Sequence, residues 1–203
     1  MKIALIGATG NAGSRLLKEA VSRGHTVTAI ARHTEKVPKE PNVTAKAADL
    51  NDTKALADAL RGHDVVISSV RFVAAPAHAL IDAVKQSGVK RLLVVGGAGS
   101  LEVAPGKALI DTPQFPEVAK PEAGAGRASL EALRKESALD WTFLSPSALF
   151  TGGERTGKFR VGDDQLLTGA DGKSWISFED YAIAMIDELE NPKHIRKRFT
   201  VGY

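Results

Sequence analysis

The chain has 203 residues, 27 of them basic and 24 acidic, giving a formal net charge of +3 and no cysteine. That length holds one domain with a single good core, or one domain with a small appendage. The missing cysteines exclude disulfides, thiolate catalysis and cysteine metal sites, and no apolar run approaches membrane-spanning length.

A short apolar run at Ile3 to Ile6 reads as a buried strand. It stops at Gly7, and Gly10 and Gly13 follow at three-residue spacing, with Thr9 and Asn11 between them. Asn11 opens a segment whose apolar residues (Leu16, Leu17, Ala20, Val21) fall on one helical face. A strand, a glycine turn and a helix start in that order form a phosphate site. The turn lets a pyrophosphate approach the backbone, and the helix N-terminus offers unpaired N–H groups and partial positive charge. The sequence thus predicts a dinucleotide site with the spacing GxxGxxG rather than GxGxxG.

The second strand is read at His25 to Ala31 and ends in Arg32, with His33 and Lys36 close behind. An NAD site places an acidic residue near this point to hold the ribose 2′-hydroxyl, and none is present. An arginine suits a 2′-phosphate, because its planar fork makes charge-assisted bonds to phosphate oxygens. NADP(H) is therefore expected over NAD(H); the alternative is that Arg32 and Lys36 are solvated loop charges.

The third strand is Val43 to Ala47, followed by Asp49 and Leu50 and by a helix at Thr53 to Leu60 with Asp52 as its N-cap. Asp49 either accepts from an adenine amino group or caps a turn. Asp64 to Ser69 is the fourth strand, and Ala77 to Ser87 a helix set between Pro76 and Gly88. Lys90 to Val95 is the fifth, running into Gly96, Gly97, Ala98 and Gly99. Apolar strands alternating with helices predict an α/β fold: a doubly wound, parallel Rossmann sheet.

An irregular stretch, Ser100 to Ala119, carries three prolines, and a loop of that length inside a compact domain is usually functional or mobile. A helix is read at about Glu122 to Ser137 and a sixth strand at Trp141 to Leu144. Short glycine-broken strands follow between Gly152 and Trp175, then a helix at Phe178 to Glu190 with Ser177 as N-cap, and a last strand at Phe199 to Val201. The expectation is one domain over residues 1–203, in which 146–198 add a small substrate-side lobe at the C-terminal side. The basic run His194 to Arg198 is short and lacks interleaved aromatics, so it reads as a solvated face and no nucleic acid is expected. The five histidines show no metal-ligand spacing. The N-terminus enters a strand at once, without a signal-peptide pattern, which gives a cytoplasmic expectation.

Ligands of such sheets bind outside the carboxyl ends of the strands. Ser68, Ser69 and Val70 are expected beneath the riboses, and Gly96 and Gly97 beside the nicotinamide. Phe72, Phe115, Phe150 and Phe159 are candidates for an apolar acceptor pocket, and Arg71 or Arg127 for pairing with an acidic acceptor group.

With these residues placed, the chain resembles the atypical short-chain dehydrogenase/reductase superfamily. The likeness is greatest to its NADH-flavin reductase and NmrA-like branch, with biliverdin reductase B more distant. It covers GATGNAG at 7–13, VVGGAGSL at 94–101, DWTFLSPS at 140–147 and ISFEDYAIAMIDELE at 176–190. The resemblance implies that Gly7, Thr9, Gly10, Asn11 and Gly13 bind pyrophosphate, that Arg32 binds the 2′-phosphate, and that Ser145, Pro146 and Ser147 border the nicotinamide. The superfamily's YxxxK acid–base pair is absent. Ala123 stands at the Tyr position and Arg127 at the Lys position, which argues against alcohol oxidation or sugar epimerisation.

The function expected is therefore hydride transfer from NADPH to a flavin or quinone. Orientation of two flat rings supplies most of the effect, and protons come from water or from a weakly placed hydroxyl such as Ser145 or Ser147. The alternative is a non-catalytic NADP(H) sensor that signals to a protein partner. A nucleotide-sugar epimerase or dehydratase ranks below both.

Overall fold

A computed structural model describes residues 1–203. Strands β1 (Lys2–Ile6), β2 (Thr26–Ala31), β3 (Val43–Ala47), β4 (Val65–Ser68), β5 (Arg91–Val95) and β8 (Asp140–Ser145) build the sheet with β12 (Lys197–Gly202) and β10 (Arg160–Gly162). The spatial order is β10-β12-β8-β5-β4-β1-β2-β3. All neighbours are parallel except β10, which runs antiparallel to β12. The order reverses between β1 and β4, the switch point at which such sheets open a crevice for ligands.

Strand alternation divides the core in two. Ile3 and Leu5 of β1 face α1 (Asn11–Ser22) and α5 (Phe178–Glu190), among Leu16, Leu17, Met185 and Ile186. Ala4 and Ile6 face the other side, where Leu56 and Leu60 of α2 (Thr53–Leu60), Leu80 and Val84 of α3 (Ala77–Ser87) and Leu130 and Leu133 of α4 (Lys120–Arg134) close the layer. Two covered faces need apolar residues at consecutive strand positions, and β4 is buried at all four. Asp52 accepts from the Ala55 N–H and Ser177 from the Asp180 N–H, so both expected caps form. Gly88 ends α3 at φ 82°.

Two elements were not read from sequence. The 100–119 stretch folds as a small hairpin, β6 (Glu102–Ala104) with β7 (Lys107–Ala108), followed by two 3-10 turns. Beyond β8, β9 (Leu149–Thr151) and β11 (Trp175–Ser177) form a separate parallel pair. The basic run near the end is also not uniformly solvated. Ile195, Arg196 and Lys197 are exposed, but His194 stacks on Phe199 at 4.1 Å and bonds Glu188 at 2.8 Å. Arg198 is buried and paired with Asp164, because it lies on β12 inside the sheet.

Candidate active site

Two adjoining hollows lie along the carboxyl edge of the sheet. The first, of about 350 Å³, runs from β1 to β3 and is bordered by Gly7, Thr9, Gly10, Arg32, Lys36, Asp49, Leu50, Ser69 and Val70. Gly7 turns the chain at φ 82°, and a Cβ there would meet the Ser69 carbonyl oxygen at 2.2 Å. Gly10 is the N-cap of α1, with extended backbone; a Cβ there would touch nothing closer than the Gly7 carbonyl at 3.4 Å. No side chain caps α1 and its first turn holds no acidic residue. An uncapped helix start with open space in front is the arrangement a pyrophosphate needs, so this cradle fits a dinucleotide. Arg32 and Lys36 are exposed at the far end and form no ion pair within the chain. Asp49 is occupied locally: its Oδ1 accepts from the Asn51 N–H at 2.9 Å and from the Asn51 amide at 3.2 Å.

The second hollow, about 1010 Å³, lies over the ends of β5 and β8. Gly96 to Ser100 form one side, α4 another with Glu122, Ala123, Gly126 and Arg127, and the 109–119 turns a third with Leu109, Thr112, Gln114, Phe115 and Pro116. Leu149 and Trp175, from the β9/β11 pair, close it opposite. Gly96 has no room for a side chain, since a Cβ would lie 2.4 Å from the Phe143 ring. Phe72 is held at the edge. Its N–H donates to Glu122 Oε1 at 2.7 Å, and its ring stacks on Phe143 at 5.9 Å.

The charges around this cavity are already paired. Arg127 bonds Asp111 through both terminal nitrogens, at 2.8 and 3.3 Å, and Glu122 accepts from the backbone of Phe72 and Val73 and faces Arg71 at 3.6 Å. Ala123 lines the wall, and neither tyrosine of the chain reaches the cavity. Tyr181 is fully buried, donates to the Leu144 carbonyl at 2.6 Å, and has its pKa pushed well up by that burial. Tyr203 donates to Asp180 at 2.7 Å.

Several expected residues line neither hollow. Asn11 and Gly13 belong to the first turn of α1, and Ser68 is buried within β4. Ser145 and Ser147 are corrected as candidate proton carriers: they are 0% and 1% exposed. Ser147 spends its proton on the Val201 carbonyl at 2.8 Å, and Ser145 is sealed inside the sheet between β5 and β12. Pro146 between them is buried as well. Phe150 packs instead against Phe178 and Tyr181, with centroids 4.5 and 4.6 Å apart, because β9 turns it to the α5 layer. Phe159 packs against that same core layer.

Leu149, Trp175 and Ser100 also line the cavity. None was singled out individually from the sequence, although Leu149 and Trp175 fall within the 146–198 substrate-side stretch and Ser100 opens the irregular segment. The Ser100 Oγ accepts from Nη1 of Arg198 at 3.1 Å.

Fold and site define a Rossmann protein built to hold a dinucleotide beside an apolar cavity. Residues 7–192 match the NAD(P)H-binding family, and the chain belongs to it. A Burkholderia pseudomallei structure described as a "putative exported protein" is 50% identical, with full coverage of both chains and a TM-score of 0.92. A "putative epimerase" from Bacteroides thetaiotaomicron is 46% identical over 100% of this chain and 96% of that one, with a TM-score of 0.96. A "putative NADH-flavin reductase" from Streptococcus pneumoniae is 38% identical over 100% and 99%, with a TM-score of 0.87. The first of these contradicts the cytoplasmic location expected from the N-terminal residues, and that expectation is withdrawn. No helix is long and apolar enough to cross a membrane.

Proposed function

We propose that this protein is an NADPH-dependent reductase of flavins or quinones that works without a tyrosine–lysine acid–base pair. The observation that carries this reading is the large apolar cavity adjoining the dinucleotide cradle, with Ala123 where the acid would stand. In this reading Gly7, Thr9 and Gly10 border the pyrophosphate, and Asn11 and Gly13 form the α1 first turn behind it. Arg32, with Lys36 beside it, takes the 2′-phosphate. Ser69, Val70, Gly96 and Gly97 border the ribose and nicotinamide. The bound dinucleotide supplies a hydride. Phe72, Phe115 and Trp175 hold a flat acceptor against it and keep water away, and orientation of that kind lowers the barrier without a dedicated acid. The name carried by the Streptococcus pneumoniae relative agrees with a flavin acceptor.

The test is loss of reduced-nicotinamide absorbance with FMN, riboflavin or a simple quinone, each with NADPH and with NADH. Turnover that requires the acceptor and prefers NADPH is expected. NADPH binding without turnover on any acceptor would overturn the reductase in favour of a redox sensor acting through a protein partner. The epimerase reading, suggested by the name of the Bacteroides thetaiotaomicron relative, conflicts with Ala123, since that chemistry needs the tyrosine.

A further inference from the structure

Arg198 is an unusual residue to find behind an apolar cavity. Its side chain is 3% exposed, and the side chain of its carboxylate partner Asp164, 2.6 Å away, is half in solvent at 48%. Burying a guanidinium is costly even when paired, and an apolar residue of similar size would hold the sheet at least as well. The guanidinium reaches past Asp164 to the cavity wall. Nη1 lies 3.1 Å from Ser100 Oγ and 3.5 Å from Ser145 Oγ, and Nη2 lies 3.4 Å from the Ser100 carbonyl.

Ser100 stands on the cavity side of this contact. Its oxygen accepts from Arg198, so its own proton is directed elsewhere, and no group within the chain accepts it. Of the other cavity hydroxyls, Thr112 donates its proton to the Leu109 carbonyl at 2.8 Å. Ser174 also keeps its proton free, but its oxygen accepts from the neutral Ala148 N–H at 3.1 Å and not from a cation. A hydroxyl that accepts from a cation becomes a stronger donor. A charge set in low-dielectric surroundings also acts across the cavity wall with little screening.

We infer that Ser100 is the hydrogen-bond donor of this cavity for a ligand oxygen or nitrogen that gains negative charge, and that Arg198 is the positioning residue that orients and polarises it. This rests on the reductase reading for the identity of the ligand. As the acceptor gains a hydride at one atom, an electron pair moves onto a quinone carbonyl oxygen or a flavin ring nitrogen. Ser100 stabilises that atom while keeping its own proton, and water at the cavity mouth supplies the single proton that, with the hydride, completes the two-electron reduction. Stabilisation of charge that grows only during reaction lowers the barrier more than it tightens ground-state binding.

The test needs no turnover. Para-nitrophenol is titrated into the NADP⁺-loaded protein, and its phenolate absorbance gives the pKa of the bound phenol. Wild type is expected to favour the phenolate about tenfold more than Ser100→Ala, with Ser100→Thr restoring the preference. Arg198→Lys is expected to weaken it in wild type and to change nothing further in Ser100→Ala. With a quinone, Ser100→Ala should lose kcat by about tenfold or more with KM little changed. Equal phenol pKa values in wild type and Ser100→Ala overturn the inference, as does loss of the shift in Ser174→Ala instead. A Ser100-dependent phenol shift in a protein that reduces no acceptor would support the inference while the reductase reading fails. Turnover that is indifferent to Ser100→Ala would do the reverse.

Discussion

Gly13, in the first turn of α1, sits so close to Gly7 that a Cβ on it would lie 2.0 Å from the Gly7 carbonyl oxygen. Gly7 in turn presses on the carbonyl of Ser69. The glycine run is therefore a packed joint between β1, α1 and the end of β4, and only Gly10 has room for a Cβ, at ordinary contact distance (3.4 Å) from the Gly7 carbonyl oxygen.

That difference separates stability from binding. Gly13→Ala should destabilise the protein by about 2–4 kcal/mol, because backbone meets backbone and neither can yield. Gly10→Ala meets no such contact and should fold normally, yet bind NADPH at least about tenfold more weakly by crowding the helix start. Thermal unfolding and a fluorescence titration with NADPH distinguish the two.

In the proposed reading Arg32 selects NADPH over NADH. Arg32→Ala should weaken NADPH by about tenfold, the worth of charge-assisted bonds to phosphate on an exposed surface, and leave NADH affinity nearly unchanged. Dissociation constants for both dinucleotides check this, and an equal loss for both would remove the 2′-phosphate role.

Gly126 lets α4 lie against Phe72, whose ring atoms are 3.0 Å from where a Cβ would stand. Gly126→Ala gains up to about 1 kcal/mol of helix propensity and pushes the ring towards the cavity. The melting temperature should hold or rise slightly, while the KM for the acceptor increases several-fold. Unchanged KM would mean that Phe72 does not shape the acceptor site.

Acid should loosen the 155–157 segment from α1 and α5. Asp180 is buried, which pushes its pKa up, but bonds from Thr156, the Gly157 N–H and Tyr203 outweigh that and hold it below the ordinary aspartate value. The Arg155 guanidinium, at 2.9 Å through two nitrogens, holds Glu19 down against burial, with help from Arg23. Both carboxylates bind protons less readily folded than unfolded. Their stabilisation is present above the ordinary carboxylate pKa and is lost as pH falls through the depressed folded values. Denaturant midpoints should therefore fall below about pH 4, and Asp180→Asn should lower stability at neutral pH and flatten that fall.

Much of the fold was legible in the chain. Strand β3, helices α2, α3 and α5 and the caps Asp52 and Ser177 follow from local periodicity and turn chemistry, which act over a few residues. The cradle was legible for the same reason, since strand, glycine turn and helix start are contiguous. The β9/β11 pair was not, because three-residue strands joined across 26 positions leave no periodic signal.

The cavity hydroxyl shows the limit most plainly. Sequence alone determined that a dinucleotide cradle ends the first strand and that no YxxxK pair is present. Ser145, Ser147 and Ser100 all lie just past or at a strand end, and nothing local ranks them. Tertiary structure sealed the first two against β12 and left Ser100 on the cavity, held by an arginine 98 residues away. Which face of a sheet end a hydroxyl presents is set by the strands beside it, and those neighbours are chosen by the packing of the whole chain.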